Sequence, residues 1–264
     1  ELLEQPNLGS VSCEAGLNGV VGKGLIDARV DGSVSQLEFN GYDYDSLRFG
    51  GRLTEKTFNG HVRADDPALR FDFQGEVGFN PERPHYDFDL DLIHADLARM
   101  HLNRRDSVSV LSALVEARAS GRTLDDLNGK VTVGDVVYRY NADTLRTTRL
   151  TLDGQNSAGS KYLSLQSEFA DATFRSRTDY KTVFEYLRSS LEKYIPLLYD
   201  ERKARKRAAG AVSVVDDYSV LSVDVKHFTP VADAVADGLQ IADGSQLRLL
   251  FNPANDKLSL KATS

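Results

Sequence analysis

The chain has 264 residues, a formal net charge of −7, 41% hydrophobic and 27% charged residues, and a single cysteine, Cys13. An acidic body without a basic patch repels nucleic acid. One thiol excludes an internal disulfide without deciding the compartment, and no run of about 18 apolar residues is present to cross a bilayer as a helix.

The chain opens on Glu1 with neither a methionine nor a signal peptide and ends at Ser264, in or just after a strand pattern. It reads as a piece of a longer protein whose other parts carry any targeting or membrane segment. Asp45-Ser46-Leu47-Arg48 returns as Asp143-Thr144-Leu145-Arg146, an offset of 98. Asp91-Leu92-Ile93-His94 returns as Asp224-Val225-Lys226-His227, an offset of 133, which falls to 100 once the helical stretch 178–210 is removed. The pattern predicts a β-rich unit of about 100 residues, copied along an elongated body and holding several strands per copy.

Taken in chain order, Leu69, Phe71, Phe73, Gly75, Val77 and Phe79 alternate with polar residues. A turn-rich link, 80–85, then leads to Tyr86, Phe88, Leu90 and Leu92 on one face and Asp87, Asp89 and Asp91 on the other. Period-2 alternation places the two sets on opposite faces of a strand, and the link predicts a hairpin. The same grammar continues through Leu111–Ala119, Val131 and Val133, Val136–Tyr140, Leu150 and Leu152, Leu163–Phe169, Leu221–Val225, Leu247–Phe251 and Leu258–Ala262. Asn18-Gly19, Asn40-Gly41, Asn59-Gly60 and Asn128-Gly129 have the residues of tight hairpin turns, and the whole reads as an antiparallel meander.

One segment departs from this. Phe184, Leu187, Leu191, Tyr194 and Leu198 recur at the period of one helix face, with Thr178 or Asp179 to cap the start, Pro196 to kink the interior and Gly210 to end it. The expected organisation is a β body over 1–177, a helical insertion over 178–210 and a return to the β body over 211–264. Arg202, Lys203, Arg205, Lys206 and Arg207 near the helix end suit a solvated C-terminus against the helix dipole, or an anionic partner. The apolar stripe predicts a helix packed on the apolar sheet face as a plug or lid.

Sequence motifs for chemistry are missing. No phosphate loop precedes a helix and no nucleophile elbow is present. His61, His85, His94, His101 and His227 have no metal-ligand spacing. The Asp87, Asp89, Asp91 series lies on one strand face without the glycine turn or terminal glutamate of a calcium loop. The reading is non-enzymatic, with no catalytic residue, metal or cofactor.

Leu127-Asn128-Gly129-Lys130-Val131-Thr132-Val133, followed by Val137-Tyr138 and Asp143-Thr144-Leu145, resembles the repeating phrase of the TamB family. So does Asp31-Gly32-Ser33-Val34 through Phe39-Asn40-Gly41-Tyr42-Asp43-Tyr44-Asp45-Ser46-Leu47. The stretch Phe88–Leu97 is similar to TamB-like chains of Bacteroidetes bacteria. The resemblance covers most of the chain apart from the helical insertion. It implies an elongated, curved antiparallel β-sheet, a "β-taco" with a hydrophobic groove, of the AsmA-like and bridge-like lipid-transfer class. It also implies a periplasmic location, tethered to the inner membrane through a segment outside this chain. The implied roles are outer-membrane protein assembly or secretion and phospholipid transport between the membranes. The implied partners are acyl chains, unfolded outer-membrane protein strands and, through regions outside this chain, an outer-membrane assembly protein of the Omp85 type.

A sheet with a continuous apolar side does not leave it in water, since each buried Phe or Leu is worth about 1.5–3 kcal/mol relative to exposure. The sheet either closes on a dry core or forms a trough. In the trough, Phe71, Phe73, Val77, Phe79, Phe88, Leu90 and Leu92 form the lining, and Val131, Val133, Leu163, Leu165 and Phe169 continue it. Three functions follow: a lipid conduit, a protein-assembly scaffold holding strands at open edges or in the trough, or a structural spacer with a closed core.

Overall fold

Alternating apolar and polar residues separated by short turns leave each strand one partner on either side, and the chain takes that solution from end to end. The structure, a computed structural model, describes residues 7–22, 25–157, 159–180, 182, 183, 185, 219–228, 241–252 and 257–263. Its described residues form fifteen strands. These are β1 (Leu8–Gly22), β2 (Leu25–Phe39), β3 (Tyr42–Tyr44), β4 (Leu47–Thr54), β5 (Thr57–Asp65), β6 (Leu69–Gly78), β7 (His85–Asp96) and β8 (Ser109–Ser120), followed by β9 (Asn128–Tyr140), β10 (Asp143–Ser157), β11 (Ser160–Ser167), β12 (Ala170–Ser176), β13 (Ser219–Val225), β14 (Gln246–Asn252) and β15 (Lys257–Thr263). All belong to one antiparallel sheet in sequence order, with the short β3 folded back on the end of β2. The fold is therefore mainly β, and its long axis runs across the strands for about 60 Å at ~4.8 Å per strand.

The register is corrected where the sequence slips. Leu92 and Ala95 of β7 are three residues apart, yet they pair with Ala113 and Leu111 of β8, which are two apart. Val133 and Tyr138 of β9 are five apart, yet they pair with Val115 and Leu111, which are four apart. In each case one extra residue is taken up as a bulge, and in β9 Asp135 is the left-handed residue of the irregular stretch, at φ 46°. Without these bulges Ala95 and Tyr138 would turn to the polar face.

Of the four Asn-Gly pairs, only Asn40-Gly41 makes a hairpin turn, at φ 55° and 74°. Asn18-Gly19 and Asn59-Gly60 lie inside β1 and β5, and Asn128-Gly129 opens β9. In β9 the glycine serves close approach: Gly129 has φ 118°, and a Cβ there would sit 2.2 Å from the Arg118 carbonyl oxygen.

The helical stripe Phe184, Leu187, Leu191, Tyr194 and Leu198 lies outside the described residues. Tyr180, Thr182, Val183 and Glu185 are helical, and the Val183 N–H donates to the Asp179 carbonyl at 3.0 Å. Beyond 218 the sheet resumes where it stopped, because β13 pairs directly with β12, Ala170 opposite Val225.

At one rim the β7–β8 connection returns over the sheet, burying Met100 with Tyr44, Ala68 and Ala95 against Leu47, Leu92 and Leu111. Asp66 organises the turn beneath it. Only 1% exposed, it accepts from the Tyr42 hydroxyl (2.9 Å) and from the backbone N–H groups of Asp45 (3.1 Å), Ala68 (2.7 Å) and Leu69 (3.2 Å). Burial, together with the bond to Asp66, pushes the Tyr42 hydroxyl above its ordinary value, so it stays a donor. Asp66→Ala leaves the buried Ala68 N–H, the half-buried Tyr42 hydroxyl and the Asp45 N–H without this acceptor, and chemical denaturation should show a loss of about 2–4 kcal/mol. A loss under about 0.5 kcal/mol would mean that the turn is held by its apolar contacts alone.

Candidate functional site

Partners in an antiparallel ladder share a face, so the register assigns every strand residue to one side. One row of partners crosses fourteen strands: Leu17, Val30, Gly51, Gly60, Gly75, Phe88, Ala117, Val131, Leu152, Leu165, Ala172, Val223, Leu247 and Ala262. It contains no polar side chain. A parallel row on the same face carries Phe49, Val62, Phe73, Leu90, Val115, Val133 and Leu150. On the other face, one residue along from the first row, the partners are Asn18, Arg29, Arg52, Asn59, Glu76, Asp87, Arg118, Lys130, Asp153, Ser164, Thr173, Ser222, Arg248 and Lys261, all of them polar.

Most of the twelve residues expected to line an apolar surface fall together. Phe71, Phe73, Val77, Phe88, Leu90, Leu92, Val131, Val133, Leu163 and Leu165 share this face by register. Each is half-buried, and the Phe73 and Phe88 rings contact with centroids 5.1 Å apart. Phe79 and Phe169 lie beyond the ladder. Phe79 follows β6 and is 45% exposed, while Phe169 sits in the β11–β12 turn, where its carbonyl accepts from the N–H groups of Lys226 and His227.

The large side chains of this face are held by their neighbours on the sheet, and the described residues place no second sheet over them. Shielded positions on this face away from the rims are mostly small: Ala28, Ala64, Ala113 and Ala117, with Val30 beside Ala28. Among the described residues the sheet is open, with β1 and β15 as its two edges.

Among the described residues, cover comes from the rims. The Met100 cluster covers one. At the other, Tyr180 and Val183 of the helix start are buried with Phe174 and Phe251, against Leu163, Leu221 and Leu249. The Phe174 and Tyr180 rings lie 5.0 Å apart. A polar clasp holds this corner. The Lys161 ammonium donates to Asp125 (2.9 Å) and to Asp179, and the Tyr180 N–H donates to Asp125 (2.6 Å). Asp125 belongs to a 3₁₀ turn, Leu124–Asp126, whose capping box joins Thr123 and Asp126. Sequence reasoning missed Asp66, Lys161 and Asp125, because their partners lie 18 to 55 residues away or, for Asp66, in a turn that the strand pattern leaves blank.

The polar face is laced by ion pairs. Arg52 grips Asp27 through two 2.7 Å bonds, and this hydrogen bonding holds the Asp27 carboxyl below its ordinary value. Arg118 lies between Asp87 and Asp89, at 2.8 and 3.0 Å. Bonds from Asn59 first and His85 second lower Glu76 in the same way. The Asp87, Asp89, Asp91 series is thus a strand face neutralised in part by arginine. Among the described residues no group of three or more His, Cys, Asp or Glu side chains could hold a metal, and no helix is long and apolar enough to cross a membrane.

Comparison of the chain with family models, curated proteins and solved structures finds no match.

Partial burial opposes the charge on Lys161, but its bonds to Asp179 and Asp125 outweigh this and raise it above the ordinary lysine value of 10.5. The clasp's contribution is therefore complete below pH 10.5 and is lost as pH rises through the raised value. Lys161→Met should cost about 1–2 kcal/mol and speed amide exchange at Val183 at neutral pH. In the parent chain that exchange, corrected for its intrinsic pH dependence, should stay constant to pH 10.5 and rise only above it. A rise already at pH 8–9 would rule out the lysine as the group that titrates.

Proposed function

We propose that this chain is a non-enzymatic β-sheet segment of a TamB-like envelope protein. In this reading it lies in the periplasm, tethered to the inner membrane through a segment outside this chain, and its apolar face carries acyl chains of phospholipid between the membranes. The observation that supports the reading is the row from Leu17 to Ala262, apolar across fourteen strands. A face that the described residues cover at the rims alone suits a ligand that is itself long and apolar. Each methylene taken out of water contributes about 0.8 kcal/mol, and a surface without directional polar groups lets a chain slide along it. The polar face, with its arginine–carboxylate pairs, stays in water.

The test separates cargo from fold. Lipid extraction and native mass spectrometry of the purified chain should recover phospholipid, and the chain should take up a fluorescent acyl-chain phospholipid from vesicles. Phe73→Glu places a charge midway along the face, where it can hydrate if no second layer lies above. It should keep the β circular-dichroism spectrum and reduce lipid uptake at least fivefold. Gln74→Glu, on the opposite face, should change neither. No lipid and no uptake by the parent chain would sink the conduit. Unfolding by Phe73→Glu would instead indicate a covered dry core and a spacer role. Retained fold, no lipid and crosslinking to nascent outer-membrane proteins would move the assignment to an assembly scaffold.

A further inference from the structure

On the polar face, like charges stand opposite one another. Arg48 of β4 pairs with Arg63 of β5, and Asp72 of β6 pairs with Asp91 of β7. Like charges directly opposite destabilise a sheet, and alternating signs along the row would have avoided both pairs. Arg63 in turn pairs with Asp72, so the four form one row across four successive strands, two arginines followed by two aspartates. All four are exposed. Arg63 and Asp72 approach to 3.5 Å, whereas Arg48 and Asp91, at the outer positions, make no ion pair among the described residues. A parallel row on the same face, Arg52, Asn59, Glu76 and Asp87, repeats the order of sign.

We propose that the polar face over β4–β7 is a contact surface for a second copy of this chain, related by a two-fold axis. The order of charge selects this occupant. A row of two positive and two negative charges is complementary to itself when turned over about its midpoint. An axis parallel to the strands at the β5–β6 boundary brings the two polar faces together and keeps the rows in line. Arg48 then meets Asp91 of the second copy, Arg63 meets its Asp72 and Arg52 meets its Asp87, and each pair forms twice. One strand further out the complementarity ends, because Arg29 would meet Arg118 and Asp31 would meet Glu116. The contact is therefore four strands wide, roughly 20 Å by 20 Å. That is about half of the ~800 Å² per partner of a standard interface, so the contact is weak, hydrated and governed by charge. It involves neither edge strand and does not rest on what the apolar face carries.

Sedimentation velocity of the chain at about 20 mM salt should show a concentration-dependent dimer. At about 300 mM salt, where screening is much stronger, its dissociation constant should rise at least tenfold. Arg48→Asp and Asp91→Arg should each, alone, weaken the dimer at least tenfold. Within the sheet either change replaces a like pair by an opposite one, so thermal stability should hold or rise while association falls. The two changes in one chain should restore the dimer to within about threefold of the parent. Arg48 and Asp91 lie three strands apart in one chain, about 14 Å, so this rescue reports a pair between copies. Arg248→Asp, on the same face of β14, should have no effect. A chain that stays monomeric at about 20 mM salt would overturn the proposal. So would a double variant that fails to recover the dimer. A dimer that salt leaves intact and Phe73→Glu abolishes would overturn it too, because the apolar faces would then join the copies.

Discussion

Register is the constraint on which everything else in this molecule rests. Because side chains alternate, a slip of one residue between any two strands would exchange the apolar and polar faces from that point on. The chain keeps fourteen strands in phase, and the bulges at Leu92–Ala95 and at Asp135 act as corrections rather than defects. Each absorbs the odd residue that would have sent Ala95 or Tyr138 into water. The result is a sheet whose two faces differ completely in adjacent rows: Leu17 to Ala262 apolar, Asn18 to Lys261 polar.

That separation lets an open sheet persist. Hydrogen bonds to neighbouring strands satisfy the backbone, and the arginine–carboxylate pairs on the wet face are exposed, so each contributes little to stability. Their value is in register. Arg118 bridging Asp87 and Asp89, or Arg52 gripping Asp27 across the β2–β4 boundary, is formed only when the strands are in phase. On the apolar face the bulky side chains shield the alanines between them, and among the described residues no second layer lies above, which is the property that supports the proposed cargo.

The two rims are handled by different physics. At one, a buried carboxylate, Asp66, gathers the donors of a tight turn and a tyrosine hydroxyl, and Met100 closes over them. At the other, the partly buried Lys161 bridges two carboxylates, and the helix start lays Tyr180 and Val183 over Phe174 and Phe251. In both, a polar node fixes the chain so that a small apolar cluster can form, and among the described residues both clusters stop short of the middle of the sheet.

Much of this was legible in the sequence, for a local reason. Alternation such as Phe71, Phe73 against Asp72, Gln74 identifies strand and face residue by residue, and short connections leave an antiparallel meander as the consistent topology. The ten residues of the expected lining that fall on one face were readable on those grounds. Phe79 and Phe169 were not, because alternation carried past a strand end assigns a face to residues that have already turned out of the ladder. Three of the four Asn-Gly pairs misled for a related reason: the dipeptide permits positive φ, but whether it turns the chain or admits a neighbouring backbone depends on what lies across the sheet. The order and alternation of the chain thus determined the strands, their sequence-order pairing and the division into two faces. Only the tertiary structure decided where the bulges fall and that Asp66, Asp125 and Lys161 meet their partners at the rims. Those features depend on contacts between residues far apart in the chain, and a single strand's pattern does not encode them.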